Sequence, residues 1–217
     1  SHQPRSLLAT ISKQYMYELP WYIFIGAPGS GKTTALINSG LQFPLADRIG
    51  SEEIRGVGGT RNCDWFFTNE AVLLDTAGRF VTQESHQETD SAEWLGFLQL
   101  LKKYRPRRPI NGIMVTISVA DLLQLTPTQR ESQANEIRKR VQELHTELNI
   151  RFPIYVLVTK VDLLVGFMEF FGKYGKDERS QVWGTTFPLS EKQDAFLVSN
   201  FRTGFIALEQ RINDRLI

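Results

Sequence analysis

The sequence predicts an α/β fold in which a mostly parallel β-sheet, with one antiparallel hairpin strand, forms the middle of three layers. Short apolar runs of β-branched and aromatic residues alternate with amphipathic stretches, as strands and helices do in such folds. Two of the runs are separated by only three residues, which permits an antiparallel hairpin and excludes a parallel crossover. Three runs end in the polar motifs GAPGSGKT, DTAG and TKVD. Polar groups at the carboxyl ends of strands are typical of ligand sites in α/β sheets.

Composition and charge indicate an ordinary globular domain. The chain has 217 residues, of which 41% are hydrophobic and 23% charged, so one core and one domain over residues 1–217 are predicted. The formal net charge of +1 gives no electrostatic case for nucleic acid as a partner. Cys63 is the single cysteine, so no intrachain disulfide is expected. No apolar run approaches the roughly 20 residues that span a bilayer, so the fragment is expected to be soluble.

The first motif matches the phosphate-binding loop pattern G-x-x-x-x-G-K-[ST] and follows a predicted strand, Trp21–Ile25. Glycines let the backbone curl, so the amides of residues 29–34, which we expect to be available, can point at phosphate oxygens. Lys32 is predicted to reach the β- and γ-phosphates, and the Thr33 hydroxyl to bind Mg²⁺. A Gly-rich structural turn is the alternative interpretation. The predicted nucleotide-binding residues of this loop are Gly26, Ala27, Pro28, Gly29, Ser30, Gly31, Lys32, Thr33 and Thr34.

The second motif follows the predicted hairpin, whose strands cover residues 62–67 and 71–74. Such a hairpin is typical of small-GTPase-like domains, whereas many other P-loop ATPases have a wholly parallel sheet. Asp75, at the end of the second strand, is predicted to bind Mg²⁺ through water, and the Gly78 amide to sense the γ-phosphate. A simple turn at the end of the strand is the alternative.

The third motif begins at Thr159, at the end of a strand predicted over residues 153–158. The Asp162 carboxylate can accept the N1–H and 2-amino protons of guanine, whereas adenine has no matching pair of donors. The Lys160 side chain can lie along the base and the ribose. Asn is the commoner residue in place of Thr159, and a turn without base contact is the alternative.

The other predicted elements complete the layers. Helices are predicted over residues 6–18, from 35 to a stop at Gly40, from a cap at Ser91, and over 127–148, 166–175 and 190–217, and further strands over 113–119 and 183–187. The inward-facing residues of two of these helices are predicted to be Trp94, Leu95, Leu98 and Leu101, and Ala134, Ile137, Val141, Leu144 and Leu148.

Two polar stretches lie between these elements. Residues 79–90 are expected to be irregular and to become ordered with nucleotide. A basic run follows the helix that begins near Ser91, and it is interpreted either as a solvated connector or as a contact with phospholipid or an acidic partner. The run consists of Lys102, Lys103, Arg105, Arg107 and Arg108.

With its three motifs in this order, the chain resembles a translation-factor-type GTPase domain, which implies a P-loop NTPase fold of small-GTPase-like topology. More narrowly, it is similar to the cytoplasmic nucleotide-binding domain of the IcmF/TssM family, inner-membrane components of the bacterial type VI secretion system. The segments that carry this resemblance are LPWYIFIGAPGSGKTTALINSG, GVGGTRNCDWFFTNEAVLLDTAGR, INGIMVTISVADLL and QVWGTTFPL.

This resemblance implies that the fragment comes from a longer membrane protein whose transmembrane helices flank it. It also implies a location on the cytoplasmic face of the inner membrane, and contacts with other components of the membrane complex and the baseplate. Because some members of the family are described as ATPases, the resemblance leaves open whether GTP or ATP is the substrate.

The matching motifs make Thr60 the candidate switch threonine, so that Thr33, Thr60 and Asp75 are the predicted Mg²⁺ ligands. Arg79 lies where Ras-like proteins have a Gln that orients water, and it cannot accept the proton of that water. We therefore hypothesise slow hydrolysis with Lys32, Thr60 and Arg79 as candidate catalytic residues. The two alternatives are a pseudo-GTPase scaffold and an ATPase that powers secretion. Arg79 leaves part of the catalytic role unfilled, and the candidates for supplying it are Gln83, Gln87, Arg55 and Arg61.

Overall fold

The computed structural model describes residues 17–43, 63–82, 87–179, 181–187 and 194–214. The chain divides into two compact units, Ser1–Val165 and Gly166–Ile217, and the single domain predicted over 1–217 stays a prediction. Most of the helix predicted over 6–18 lies outside the described residues. No helix in the described part has the length and apolar character needed to cross a membrane. Also outside the described part are Arg55, Thr60, Arg61, Gln83 and the side chain of Gln87.

The first unit is built on one five-stranded sheet, whose strands are β1 (Trp21–Ile25), β2 (Cys63–Phe67), β3 (Val72–Thr76), β4 (Gly112–Ser118) and β5 (Ile154–Thr159). The strand order is β2-β3-β1-β4-β5. β1 pairs in parallel with β3 and β4, β4 pairs in parallel with β5, and β2 runs antiparallel to β3. These pairings confirm a mixed α/β fold with a mostly parallel sheet and one antiparallel pair.

The helices of the first unit are α1 (Lys32–Ile37), α2 (Arg79–Thr82), α3 (Gln87–Tyr104), α4 (Val119–Gln124) and α5 (Pro127–Leu148). The bounds of α5 are those that the sequence predicts, because strong signals mark both ends. Thr126 and Gln129 form a reciprocal capping box, Pro127 occupies the first turn, and Asn149 ends the helix in a left-handed conformation.

Two predicted helix starts are wrong. α1 begins at Lys32, three residues before the predicted start at Ala35. α3 begins at Gln87, so Ser91 lies inside the helix and does not cap it. The predicted irregular stretch 79–90 therefore contains α2 and the first turn of α3. Glu88 and Asp90 favour this earlier start, because acidic side chains in a first turn interact well with the helix dipole.

Strand bounds also differ from their predictions. β5 is shifted by one residue, to Ile154–Thr159, so Thr159 is its last residue. β3 extends to Thr76, so Asp75 lies within the strand and not after it. β4 ends at Ser118, and Val119 begins the unpredicted helix α4. The Ser118 side chain accepts a hydrogen bond from the Asp121 N–H at 3.4 Å, which stabilises the start of that helix.

The larger apolar core lies on the face of the sheet that α3 and α5 cover. It combines buried residues of β1, β3 and β4 with residues from these two helices. The predicted inward residues of α3 are buried or partly buried, and so are those of α5 except Ala134. Ala134 is exposed, whereas Arg140 is buried and pairs with Glu143 at 2.6 Å. Most of the N-terminal half of α5 is exposed, so its apolar spacing there does not correspond to the core.

The second unit contains α6 (Phe167–Phe171), α7 (Lys176–Arg179) and α8 (Asp194–Asn213). α8 confirms a closing helix, and α6 is shorter than the helix predicted over 166–175. The strand predicted over 183–187 is wrong, because these residues belong to no strand. An apolar, aromatic segment forms a strand only where a neighbouring backbone supplies hydrogen bonds, and a sequence pattern does not supply that neighbour.

The environment of Cys63 predicts an unreactive thiol. Burial raises the pKa of Cys63, and the charges of Asp75 and Asp64 raise it further. Because the thiolate is the nucleophile, we expect iodoacetamide at pH 8 to alkylate the native chain at least about tenfold more slowly than the urea-unfolded chain. Cys63 is the only cysteine, so mass spectrometry of the intact chain reports on it alone. Equal rates in both states would contradict this assignment.

Candidate functional site

The loop between β1 and α1 has the tight curvature that its glycines predict. Gly29 and Gly31 have φ angles of 71° and 85°, in the left-handed region that residues with a side chain rarely adopt. The Ser30 N–H donates to the Ala27 carbonyl at 3.1 Å. The expectation that every amide of residues 29–34 is available is therefore wrong for Ser30, whose N–H closes a turn within the loop.

The start of this loop packs closely against β4. A Cβ atom on Gly26 would lie 2.6 Å from the Ser30 hydroxyl and 2.8 Å from the Thr116 carbonyl oxygen, so only glycine fits there. The hydroxyls of Ser30 and Thr116, both buried, are hydrogen-bonded at 2.7 Å and tie the loop to the strand. Thr116 is not among the site residues predicted from the sequence. A hydroxyl in the middle of the apolar run MVTI is the signal that could have identified it.

Lys32 folds back over the loop. Its buried ammonium donates to the carbonyl oxygens of Gly26 and Ala27 at 2.9 and 3.1 Å. Burial lowers the pKa of Lys32, and the charge of Asp75 opposes part of this effect. Lys32 forms no ion pair with another described residue. The loop therefore contains a desolvated cation whose hydrogen bonds, in the described part of the chain, go to neutral carbonyl groups.

Two predicted Mg²⁺ ligands, Thr33 and Asp75, are in contact. The Thr33 hydroxyl donates to Oδ2 of Asp75, which is fully buried in β3. The adjacent Thr76 hydroxyl donates to the Phe24 carbonyl at 2.5 Å and holds the end of β3 against β1. Hydroxyl and carboxylate oxygens are ligands that Mg²⁺ accepts. The described residues contain no cluster of three or more His, Cys, Asp or Glu that could hold an ion. A Mg²⁺ ion between Thr33 and Asp75 would therefore need phosphate oxygens and water as further ligands.

The DTAG turn lies directly against the loop. A Cβ atom on Gly78 would lie 2.5 Å from the Cα atom of Pro28 and 2.9 Å from the carbonyl carbon of Ala27. Since real Cβ atoms do not approach backbone atoms this closely, glycine is needed at this position. The predicted γ-phosphate sensor is thus adjacent to the predicted phosphate-binding loop.

Arg79 is held by two carboxylates on α3. Its guanidinium pairs with Asp90, which is buried, and with Glu93 at 2.6 Å. The guanidinium carbon also lies 4.9 Å from the centre of the Phe80 ring. Burial acts to lower the pKa of Arg79, but the hydrogen bonds and charges of Glu93 and Asp90 raise it overall. The pairing of Arg79 with these two acidic residues was not predicted, because residues 79–90 were expected to be irregular, and the helices that position Arg79 and Asp90 were not foreseen.

The TKVD motif contacts the loop through its first residue. The Thr159 hydroxyl donates to the Ser30 carbonyl at 2.6 Å. Lys160 follows with a left-handed φ of 57°, and Asp162 is exposed in a 3₁₀ turn. Thr159 thus links the motif to the loop, and the Asp162 carboxylate is accessible to a ligand.

The structure therefore brings the three motifs together around the loop, with Thr60 outside the described part. A separate open cavity of about 690 Å³ is lined by residues of β2, α2 and α3, including Cys63, Phe97 and Leu100. It shares no residue with the three motifs, so it is not part of this candidate site.

Comparison with known proteins gives two similarities. Residues 87–217 match the family model of the IcmF-related N-terminal domain. The chain is also 56% identical over 214 residues to the type VI secretion system component TssM1 of Pseudomonas aeruginosa strain PAO1. This alignment covers 98% of the chain and 19% of the relative, so the chain spans about a fifth of that protein's length.

The close approach of Gly78 to the loop predicts that Gly78→Ala lowers the free energy of unfolding by about 1–3 kcal/mol, because the backbone must move to admit a methyl group. Thermal and urea unfolding measure this change. Gly96→Ala is the matched control, since a Cβ atom at Gly96 of α3 has no neighbour within 4 Å. It should be neutral or stabilise by up to about 1 kcal/mol. Equal stabilities of the two variants would contradict the packing described for Gly78.

Proposed function

The chain belongs to the IcmF/TssM family, and from this premise we propose that it binds and slowly hydrolyses a nucleoside triphosphate with Mg²⁺ as part of a type VI secretion complex. GTP is the favoured nucleotide. The proposal concerns the loop of residues 26–34 together with Asp75, Gly78 and the TKVD motif.

The observation that carries this proposal is the burial of the Lys32 ammonium against neutral carbonyl groups. A buried ammonium without an anionic partner is unfavourable, because carbonyl dipoles do not replace the hydration of a full charge. A triphosphate oxygen would give this cation the anion that it lacks among the described residues. Gly29 places no side chain between the loop backbone and such a ligand, and a Cβ atom there would meet no other atom within 4 Å.

The contact between Thr33 and Asp75 supports a place for Mg²⁺. Thr33 would ligate the ion directly, and Asp75 would hold it through water. When bound, the ion would neutralise charge on the β- and γ-phosphates. Gly78 is adjacent to Pro28 of the loop, which fits its proposed role of sensing the γ-phosphate through its amide.

The preference for GTP rests on the TKVD motif. Thr159 is hydrogen-bonded to the Ser30 carbonyl, so the motif is held beside the loop. The exposed Asp162 can accept two hydrogen bonds from guanine, and adenine presents no matching pair of donors. The Lys160 side chain would cover the base.

Slow hydrolysis follows from the position of Arg79. No residue after DTAG supplies the Gln that orients water in Ras-like proteins, and an arginine cannot accept a proton at that point. Arg79 could stabilise charge on the γ-phosphate, but only after it leaves Asp90 and Glu93. The rate constant of an unassisted domain of this kind is roughly 10⁻⁴ to 10⁻² s⁻¹.

Within the secretion complex, we assign the domain the role of a conformational switch or an energy input. It would act at the cytoplasmic face of the bacterial inner membrane and contact other membrane-complex and baseplate components. The similarity to the type VI secretion system component TssM1 supports this role.

Titration with fluorescent GTP and ATP analogues in the presence of Mg²⁺ tests the proposed site. We expect the wild-type chain to bind GTP more tightly than ATP, and Lys32→Ala to weaken binding by about 100-fold, because a charge-assisted hydrogen bond is lost. Lys139→Ala, which removes an exposed lysine of α5, is the matched control and should bind like the wild type.

Each other outcome of this titration has a defined meaning. If Lys32→Ala binds nucleotide as tightly as the wild type, the loop is not part of the nucleotide site. If the affinities for GTP and ATP are equal, Asp162 does not recognise the base, and an ATPase is favoured. If the folded wild-type chain binds neither nucleotide, the domain is a scaffold without nucleotide function.

The two carboxylates around Arg79 give a second test, in single-turnover hydrolysis. Glu93→Gln weakens the exposed part of this contact, and should raise the rate constant by up to roughly fivefold if Arg79 acts on the γ-phosphate, because an exposed ion pair contributes up to about 1 kcal/mol. Glu88→Gln removes an exposed charge from the same helix at a residue outside the two ion pairs described for Arg79, and should leave the rate constant unchanged. An unchanged rate in Glu93→Gln, or a gain that persists when Arg79→Ala is added, would exclude this role for Arg79.

A further inference from the structure

Residues 102–108, here called the basic segment, lie near the amino end of β1, and the loop lies at the carboxyl end of that strand. Arg105 of this segment contacts Trp21, the first residue of β1, whereas the loop follows Ile25, the last residue of that strand. Five residues of β-strand separate the two places by about 16 Å. The basic segment is therefore not part of the proposed nucleotide site.

Arg105 is buried, and part of its guanidinium has no hydrogen-bond partner in the described part of the chain. Its guanidinium carbon lies 4.3 Å from the ring centre of Trp21 and 5.0 Å from that of Tyr17. Nε and Nη1 are buried, and no described residue accepts a hydrogen bond from either of them. Stacking on aromatic rings stabilises the guanidinium, but it does not satisfy the N–H groups or neutralise the charge.

The rest of the basic segment adds positive charge to that of Arg105. Lys102 and Lys103 lie in the last turn of α3, where positive charge interacts favourably with the helix dipole. Arg107 and Arg108 lie beyond the helix and are exposed. No cation of the segment forms an ion pair with a described residue. Burial lowers the pKa of Arg105 to about 10, the interaction with Tyr17 opposes part of this effect, and the charge of Arg108 adds to it. Among the described residues, the segment is therefore an accumulation of positive charge without an ion-pair partner.

Apolar side chains accompany these cations on the outer surface of α3. Leu100 and Tyr104 are 53% and 59% exposed and lie one helical turn apart, on the same side of the helix. The Lys103 ammonium lies 5.6 Å from the centre of the Tyr104 ring. A solvated connector needs no exposed leucine and tyrosine beside its cations. Basic residues mixed with apolar and aromatic ones are typical of surfaces that meet the headgroup region of a bilayer.

We propose that the basic segment binds the phosphate groups of anionic lipids at a membrane surface. Arg107 and Arg108 contact the headgroups, Leu100 and Tyr104 enter the interfacial layer, and the buried Arg105 contributes its uncompensated charge from behind. This contact holds the end of β1 that contains Trp21 towards the membrane. The other end of the strand, with the loop, then faces away from the membrane.

Sedimentation of the chain with phosphatidylcholine vesicles, with and without phosphatidylglycerol, tests this proposal. We expect binding only to the anionic vesicles, with an affinity that falls as salt is added. The double variant Arg107→Gln/Arg108→Gln should bind about 30-fold more weakly, since each basic side chain near an anionic surface contributes about 1 kcal/mol. The control is Arg138→Gln/Lys139→Gln, which removes two exposed cations of α5 and should bind like the wild type.

Equal loss of binding in both double variants would overturn the proposal, because attraction would then follow net charge alone. Absence of binding to anionic vesicles would also overturn it. If inorganic phosphate releases the chain from the vesicles more effectively than chloride does at equal ionic strength, the segment is a site for free phosphate and not for lipid. We expect unchanged melting temperatures for both variants, because all four substituted side chains are exposed. A difference in vesicle binding then does not come from unfolding.

Discussion

Parallel pairing of β1 with β3 and β4 is the constraint on which the rest of this structure depends. Because hydrogen bonding aligns these strands in one direction, the residues that follow them meet at a single edge of the sheet. The loop after β1 thereby contacts Thr116 of β4, Gly78 after β3 and Thr159 of β5. None of these contacts would survive if β1 were displaced from the centre of the sheet.

Close packing at this edge has an electrostatic consequence. Lys32 is buried, donates to two backbone carbonyl oxygens and forms no ion pair with another described residue. Burying a cation in this way is unfavourable for folding unless another requirement maintains it. Arg105 presents the same situation at the opposite edge of the sheet. The two proposals made for this chain, a triphosphate near Lys32 and anionic lipid near Arg105, both derive from buried cations that have no ion-pair partner among the described residues.

Local patterns predicted the elements whose signals lie within a few neighbouring residues. β1 and α5 have their predicted bounds because a β-branched and aromatic run defines the one, and a capping box and a left-handed Asn149 define the other. Predictions failed where the outcome depends on distant residues. Ala134 has an apolar spacing but lies in the exposed half of α5, and residues 183–187 have strand-like side chains without a strand.

For the candidate site, the residue types alone establish which side chains and glycines are available, and hence what chemistry they can perform. Loop flexibility at Gly29 and Gly31, and the charge of Lys32, are properties of the residues themselves and their immediate neighbours. The tertiary structure alone decided which groups meet, including the pairing of Arg79 with Asp90 and Glu93. The physical reason is that hydrogen bonds and ion pairs act over a few ångströms, so they exist only after folding has brought distant parts of the chain together.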